Sequence, residues 1–294
     1  MAFLERSSHQ PTRPSAVDLA ALTAKLDAVA TAPPGDASVT ACDAVLAALE
    51  GAEMTSAAQA LTARALFTKA RLLSRLGRTR ASEMLVAELV RRYEHDPEPA
   101  VRRLVCRALF GTAKAKLAEG TADRRAVIVD YRHILHIAER APTLDVVAVE
   151  ALYHLALTHA KIAVQRSNDE HREKALERFV EVERRFSGSS APEIACWVTR
   201  GATSRALLFS LEDAGPLYEA VVTRYAAETD PTLRVYAADA LALWAERSLG
   251  EGQHALAASL ADRLLATFAE SEGEHVRAHR ATAERVRARV STEP

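Results

Sequence analysis

Residues 173–193 read EKALERFVEVERRFSGSSAPE, and this stretch decides the fold. Its apolar side chains are Ala175, Phe179, Val182 and Phe186, which follow one another at intervals of three or four residues. Side chains at these intervals lie on one face of a helix, so the pattern predicts an amphipathic helix. A Ser/Gly run and a proline come next, and a new apolar run begins after them. The helix should therefore end at this break.

The same kind of unit recurs on both sides of this stretch. The tetrapeptide RALF at 64–67 returns at 107–110, and the same interval of 43 residues leads to an Ala-Leu-aromatic core at 151–153. An arginine and an aromatic residue precede a proline at three places: Arg92-Tyr93 before Pro97, Arg185-Phe186 before Pro192 and Arg224-Tyr225 before Pro231. Proline is tolerated in the first turn of a helix, so each aromatic should pack across a corner between helix pairs. Self-similarity at such a period indicates stacked helix pairs.

The repeated unit resembles the tetratricopeptide repeat (TPR). The second helix of that family carries a small residue, an aromatic four positions later and then another small or apolar residue. Two copies match this pattern: Ala175, Phe179 and Val182, and Ala214, Tyr218 and Val221. Leu155, Ala156 and His159 follow the pattern of the family's first helix. The resemblance covers about residues 56–270 and implies a helical scaffold that binds proteins.

The chain also departs from the family's pattern. Its repeats are longer than those of the family, and no copy has the usual tryptophan of the first helix. In one copy the small residue comes at Ala81 and is followed by Leu85 rather than by an aromatic. In another, Gly215-Pro216 would lie in the first turn of a helix. Other α-solenoids with longer repeats fit these features as well.

An all-α fold follows for the whole chain, a right-handed superhelical array of about thirteen helices in antiparallel pairs. The chain is rich in Ala, Leu, Arg and Glu, which are the best helix formers. Residues 1–15 should form a flexible segment and 16–290 a single TPR-like α-solenoid. Within the solenoid we expect N-terminal helices in 16–52, the repeat array in 56–270 and a capping helix in 274–290. The first two helices should cover 17–31, with Leu19, Leu22, Leu26 and Val29 as the apolar stripe, and 39–49, ended by Gly51.

The composition narrows the possible partners and the compartment. The formal net charge is −1, so no overall attraction to nucleic acid or to an anionic membrane is expected. The three cysteines are far apart in apolar helical patterns, which is typical of reduced, buried thiols in a cytoplasmic protein. No run approaches the ~20 apolar residues of a membrane-spanning helix.

We find no motif for catalysis or for a cofactor, so a non-catalytic protein is expected. His133 and His136 lie three residues apart and could hold a metal ion, but no cysteine or carboxylate is placed to complete four ligands. Ordinary helix histidines are the expectation. No metal site is predicted.

The candidate binding residues lie on the first helices of the repeats, which line the groove of such an array. Aligning the copies on RALF selects Arg64, Phe67, Arg71, Arg75, Arg107, Phe110, Lys114 and Tyr153. Exposed arginines beside aromatics suit a carboxylate-bearing peptide, because arginine offers paired donors to a carboxylate. TPR domains that capture acidic C-terminal tails use such a cationic groove. The alternative is that the arginines lie on ordinary solvated faces, with Phe67 and Phe110 turned into the core.

The function that follows is a protein-protein interaction scaffold that holds another protein or peptide, with an acidic segment fitting best. The alternative is a regulatory module of bacterial signalling that senses a peptide, or self-associates, and works with a separate effector or DNA-binding domain. The last helix carries five arginines: Arg277, Arg280, Arg285, Arg287 and Arg289. They suit a solvent-facing capping helix better than a nucleic-acid site, because cations complement the dipole at a helix C-terminus.

Overall fold

A computed structural model describes residues 17–50, 52–118, 124–139, 141–189, 191–271 and 273–292. The expected flexible segment 1–15 and the expected helix end at Gly51 lie outside these residues. The described chain contains thirteen α-helices, one short 3-10 helix and no strand, so the all-α prediction is confirmed. The helices are α1 Leu19–Thr31, α2 Asp36–Glu50, α3 Ser56–Arg75, α4 Thr79–Tyr93, α5 Pro99–Ala118, α6 Arg124–Ala138, α7 Asp145–Arg166, α8 Asp169–Phe186, α9 Pro192–Ala206, α10 Leu211–Tyr225, α11 Pro231–Gly250, α12 His254–Thr267 and α13 Glu274–Thr292. The 3-10 helix is Pro142–Leu144.

The chain divides into two compact units, and the boundary falls near the end of α5. Unit 1 is Met1–Ala115 and unit 2 is Lys116–Pro294. In unit 1, α3 packs against α1, α2 and α4. In unit 2, the first helices of successive pairs, α7, α9, α11 and α13, pack against one another, and each of the second helices α8, α10 and α12 packs between two of them. Each unit is therefore built from helix pairs that follow the chain order. A single solenoid over 16–290 stays a prediction.

The second helices share one burial pattern. Each has four buried positions at successive intervals of four, three and four residues: Ser38, Cys42, Val45 and Leu49 in α2; Ser82, Val86, Leu89 and Tyr93 in α4; Val127, Tyr131, Ile134 and Ala138 in α6; Ala175, Phe179, Val182 and Phe186 in α8; Ala214, Tyr218, Val221 and Tyr225 in α10; Ala257, Ala261 and Leu264 in α12, with Phe268 as its C-cap residue. These intervals keep all four side chains on one face of the helix. The face predicted for residues 173–193 is confirmed, and it recurs in every second helix.

The burial pattern corrects one register. The prediction placed the small residue of α4 at Ala81 and the next apolar residue at Leu85. Ala81 is exposed, and Ser82 and Val86 take the buried positions. Ser82 can be buried because its hydroxyl donates to the main-chain oxygen of Ala70 on α3, at 2.8 Å. A satisfied hydroxyl costs little inside a protein, so a serine serves as the small residue here.

The predicted helix ends and corners hold at several places. Gly77 follows α3 with a φ of +73°, and the main-chain N–H of Arg78 donates to the oxygen of Leu73 at 2.8 Å. This is a Schellman C-cap, which favours glycine at the left-handed position. Pro231 begins α11, and the rings of Tyr225 and Tyr236 meet edge to face with centroids 5.8 Å apart. The aromatic before this proline therefore packs across the corner, as predicted.

Two helix starts differ from the predictions. The second helix begins at Asp36 rather than at residue 39, so it follows directly after the Pro-Pro-Gly break. In α10, the hydroxyl of Ser210 accepts from the main-chain N–H of Asp213 and caps the helix start. The helix then begins at Leu211, and Pro216 lies inside it rather than in its first turn.

Within the described residues, one helix is long and apolar enough, by length and composition alone, to cross a membrane. It is α7, Asp145–Arg166, although no such run was expected from the sequence. Of its most apolar window, 72% is buried within the protein. The apolar side chains of α7 are therefore used for packing against α6, α8 and α9.

The last helix, α13, covers α11 and α12. Val276, Ala283 and Val286 of α13 are buried in the core cluster of these helices. On its polar side, the guanidinium of Arg287 lies 2.9 Å from the carboxylate of Asp262. These contacts support the interpretation of α13 as a capping helix.

Candidate functional site

A cavity of about 140 Å³ opens between α3, α4 and α5 in unit 1. Its lining residues are Phe67, Ala70, Arg71, Ser74, Thr79, Ser82, Glu83, Val86, Arg107, Ala108, Gly111, Thr112 and Ala115. Pockets for drug-sized ligands measure roughly 300–1,000 Å³, whereas a cavity of about 150 Å³ accommodates a molecule of the size of benzene. The cavity therefore has room for one apolar side chain of a partner.

The walls of the cavity are apolar and fixed. Ala70, Val86 and Ala108 are buried, and the hydroxyl of Ser82 ties α4 to α3 through its bond to the Ala70 oxygen. A wall held by helix packing keeps its shape before a ligand arrives, which lowers the entropic cost of binding. The cavity is thus pre-formed by side chains that the fold already requires.

Charged side chains lie at the edge of the cavity. Arg71 of α3 and Arg107 of α5 are exposed cations in the lining, and Glu83 of α4 is the exposed anion. The guanidinium carbon of Arg71 lies 6.0 Å from the centroid of the Phe67 ring. Among the described residues, neither Arg71 nor Glu83 forms an ion pair. Arg71 is thus an exposed cation at the edge with no ion pair among the described residues, and a guanidinium of this kind suits a ligand with a carboxylate.

The structure brings together part of the predicted set. Phe67, Arg71 and Arg107 line the cavity. Arg64 does not, because its guanidinium pairs with the carboxylate of Asp27 on α1. Arg75 is exposed one turn beyond Arg71 at the end of α3 and is not part of the lining.

Phe110 corrects the prediction that both RALF aromatics face outward. It is 3% exposed, whereas Phe67 is half-buried. Phe110 belongs to a wide buried face of α5 that also contains Val105, Leu109 and Ala113, so the ring is excluded from water. Lys114 is exposed, with its ammonium 6.0 Å from the centroid of the Phe110 ring. The alternative that the aromatic turns into the core holds for Phe110.

Tyr153 belongs to unit 2, where it is part of an aromatic cluster. Its ring centroid lies 5.2 Å from that of Trp197 on α9 and 6.2 Å from that of Phe179 on α8. Its hydroxyl lies 3.4 Å from the hydroxyl of Ser204. The guanidinium carbon of Arg200 lies 5.1 Å from the Trp197 ring. Tyr153 therefore joins three helices of unit 2 and keeps only part of its ring in contact with solvent.

Several lining residues were not predicted. Gly111 follows directly after RALF, and a Cβ added to it would meet nothing within 4 Å. Its missing side chain leaves part of the cavity open. Glu83 and Val86 lie on a second helix, whereas all predicted groove residues lie on first helices. The sequence does carry one signal for this site, which is Gly111 within a run of good helix formers. Glycine costs a helix interior about 1 kcal/mol relative to alanine, so its presence there indicates a special role.

A larger opening of about 430 Å³ lies between α2, α3 and α4. Its two cations are paired: Lys69 lies 2.5 Å from Asp43, and Arg92 lies 2.5 Å from Glu88. Glu50 adds a further anion to the lining, so this opening is less suited to a ligand with a carboxylate. The cavity between α3, α4 and α5 is therefore the better candidate site.

The buried thiols carry no sign of nucleophilic chemistry. Burial raises the pKa of Cys106 on α5 to about 12 and also raises the pKa of Cys42. Both groups stay protonated near neutral pH, and the thiolate is the reactive form. They serve as small apolar residues of the core.

A comparison with protein-family models finds no match for this chain, and a comparison with curated proteins finds none either.

Proposed function

We propose that the protein is a non-catalytic scaffold that binds a segment of a partner protein through the cavity between α3, α4 and α5. An apolar side chain of the partner fills the cavity, and a neighbouring carboxylate pairs with Arg71 and Arg107. The observation that carries the proposal is this side-chain-sized cavity with two exposed arginines in its lining. A buried apolar anchor framed by charged groups is the usual arrangement of a binding hot spot.

The helix pairs support a TPR-like scaffold. The buried positions of the second helices, at intervals of four, three and four residues, agree with the small-aromatic-small pattern of that family in α8 and α10. TPR proteins bind partners mainly with their first helices, and Phe67, Arg71 and Arg107 all lie on first helices.

The first experiment measures binding of defined peptides to the full chain by fluorescence polarisation. The peptides place Leu, Ile, Met, Phe or Trp beside Asp or Glu, and a matched set carries Lys in place of the acid. We expect the aliphatic and Phe peptides with an acid to bind, and the Trp and Lys peptides to bind at least about tenfold more weakly. Equal binding of the acidic and lysine peptides would contradict the role of the arginines.

Two kinds of variant test the site itself. Gly111 lies in the lining, and a Cβ added to it would meet nothing within 4 Å, so Gly111→Leu should obstruct the cavity and abolish peptide binding while the thermal midpoint stays unchanged or rises. Arg71→Glu combined with Arg107→Glu should have the same effect on binding through charge repulsion. The matched controls are Ala87→Leu and Arg80→Glu, which change exposed residues of α4 outside the lining. If the site variants bind like the controls, the proposed site is wrong.

A further inference from the structure

Two histidines face each other where α7 packs against α8. His159 of α7 is 3% exposed, and His171 of α8 is half-buried. Their Nδ1 atoms are 2.8 Å apart, and their ring centroids are 5.0 Å apart. This distance is that of a hydrogen bond between the two imidazoles.

The bond depends on the number of protons that the pair carries. One Nδ1 must hold a proton and donate, and the other must present its lone pair and accept. A neutral pair meets this condition, and so does a pair with one positive imidazole. When both rings are positive, both Nδ1 atoms carry protons, so the bond is lost and the charges repel.

The surroundings of the pair oppose a second positive charge. Burial lowers the pKa of His159 to about 4, with further contributions from His171, Arg132 of α6, and Lys174 and Arg178 of α8. The same two helices, α7 and α8, contribute a buried apolar cluster of Ala156, Ala160, Ala175 and Phe179, with Tyr153 and Leu208 packed against it. The nearby carboxylate of Glu170 pairs with Lys174 and is 69% exposed, so it offers the pair little compensation. A proton on His159 is therefore costly as long as α8 stays in place.

We propose that the contact between His159 and His171 is an acid-sensitive latch, which holds α8 against α7 and releases it when both imidazoles are protonated. The pair does not belong to the cavity in unit 1, so the latch is independent of the proposed binding site.

The direction of the pH effect follows from the lowered pKa of His159. In the closed state the pKa of His159 is lowered to about 4. Once α8 has opened, the pKa of His159 returns to about its ordinary value of 6.5. The contact between α7 and α8 is therefore fully stable above about pH 6.5 and loses stability as the pH falls towards about 4. Between these two pH values, the uptake of one proton on opening changes the ratio of released to packed α8 by up to about tenfold per pH unit.

Opening also changes the aromatic cluster of unit 2. Phe179 of α8 is buried in the closed state, and its ring centroid lies 6.2 Å from that of Tyr153 on α7. When α8 leaves α7, both rings become accessible to solvent or to a partner. The latch thus links the acidity of the solution to the exposure of an apolar surface.

Hydrogen exchange of the full chain tests the latch. Amide exchange is measured by mass spectrometry at several values from about pH 7.5 to about pH 4.5, corrected for the intrinsic pH dependence of exchange. In the wild type, protection of α8 should fall by up to about tenfold per pH unit, while protection of α3 in unit 1 should stay constant. In His159→Leu, which fills a buried position with a side chain that does not titrate, this loss should disappear. An equal loss of α8 protection in the wild type and in His159→Leu would refute the latch.

Two further variants complete the test. His136→Gln removes an exposed histidine of α6 and should behave like the wild type. His171→Gln keeps a group that can donate or accept but removes the second charge, so the pH dependence of α8 protection should become weaker. This variant decides the question if His159→Leu does not fold. Wild-type pH dependence in His171→Gln would overturn the proposal.

Discussion

Five arginines of unit 2 donate to main-chain oxygens where helices end, whereas several arginines of unit 1 pair with carboxylates, and Arg71 and Arg107 line the cavity. Five side chains of unit 2 make such bonds: Arg172 to Leu208, Arg224 to Ser187, Arg234 to Thr267, Arg247 to Ala206 and Phe209, and Arg280 to Ala269. The accepting oxygens lie in or just after the last turns of α8, α9 and α12. These five arginines are thus part of the framework of unit 2.

These bonds have a clear physical reason. The last four carbonyl groups of a helix have no partner within the helix, and a helix C-terminus attracts positive charge. Arg247 is the fullest case, because its two terminal nitrogens lie 2.8 Å from the oxygen of Ala206 and 2.5 Å from that of Phe209. Its Nε also lies 2.8 Å from the carboxylate of Glu251. One side chain therefore donates to two main-chain oxygens, one at the last residue of α9 and one just after it.

In unit 1 the arginines have different contacts. Arg78 lies 2.7 Å from the carboxylate of Asp36, and Arg92 lies 2.5 Å from that of Glu88. Exposed pairs of this kind contribute about 0–1 kcal/mol each. Arg71 and Arg75 form no ion pair within the described residues of the unit. The comparison teaches that an arginine-rich composition does not by itself indicate a binding surface, and that Arg71 is a better candidate than any arginine of the framework.

The largest effect that separates the units should come from removing an arginine of the framework. Arg247→Ala leaves the oxygens of Ala206 and Phe209 without their charged donor, so we expect a loss of about 4 kcal/mol in the free energy of unfolding. Arg71→Ala in unit 1 should change it by less than about 0.5 kcal/mol. Urea unfolding followed by circular dichroism, which reports on the helices of both units, measures both variants. Equal stability of the two variants would remove the distinction between framework and surface arginines.

A second contrast concerns two glycines on first helices. A Cβ on Gly201 of α9 would lie 3.2 Å from Val182 Cγ1, whereas one on Gly111 of α5 would meet nothing within 4 Å. Gly201→Leu should therefore overpack the seam with α8 and lower the thermal midpoint, at a cost of about 3 kcal/mol. Gly111→Leu should leave stability unchanged or raise it by about 1 kcal/mol, because leucine is the better helix former. Calorimetry on both variants checks this, and a destabilised Gly111→Leu would show that the cavity is not open at that position.

The helices could be predicted from sequence because their apolar positions recur so regularly. Ala175, Phe179, Val182 and Phe186 are strongly periodic, and periodicity depends only on helix geometry. The register of α4 could not be predicted in the same way. Alanine is the more apolar residue, so Ala81 was favoured over Ser82, and the bond from Ser82 to the Ala70 oxygen exists only in the folded protein.

The candidate site shows a second limit of sequence reasoning. Phe67 and Phe110 are the last residues of identical tetrapeptides, yet one is half-buried at the cavity and the other is 3% exposed. Local sequence cannot separate them, because the difference comes from the helices that pack around each ring. For the same reason the sequence predicts Arg64 as a binding residue alongside Arg71. In the structure, Arg64 forms an ion pair with the carboxylate of Asp27, which is distant in sequence.

The register of the second helices can be tested in both units. Ala175 of α8 is fully buried, so Ala175→Leu should overpack the core of unit 2 and cost about 2 kcal/mol. Ala81 of α4 is exposed, and Ala81→Leu should be neutral within about 0.5 kcal/mol. Thermal unfolding followed by circular dichroism measures both changes. A neutral Ala175→Leu would mean that the buried face of α8 is misplaced.

The smallest expected effect concerns an arginine of unit 2 that pairs with a carboxylate, as the arginines of unit 1 do. Arg263 of α12 forms a two-pronged pair with Glu219 of α10, with nitrogen–oxygen distances of 2.6 and 2.8 Å. This contact lowers the pKa of Glu219, but both side chains are about two-fifths exposed, so solvent screens the pair. Arg263→Ala should therefore cost only about 0.5 kcal/mol, and the cost should shrink at high salt. Urea unfolding at low and at high salt, with Arg247→Ala measured in parallel, checks the difference. An equal loss of stability in Arg263→Ala and Arg247→Ala would contradict the idea that bonds to main-chain oxygens stabilise the fold more than exposed ion pairs do.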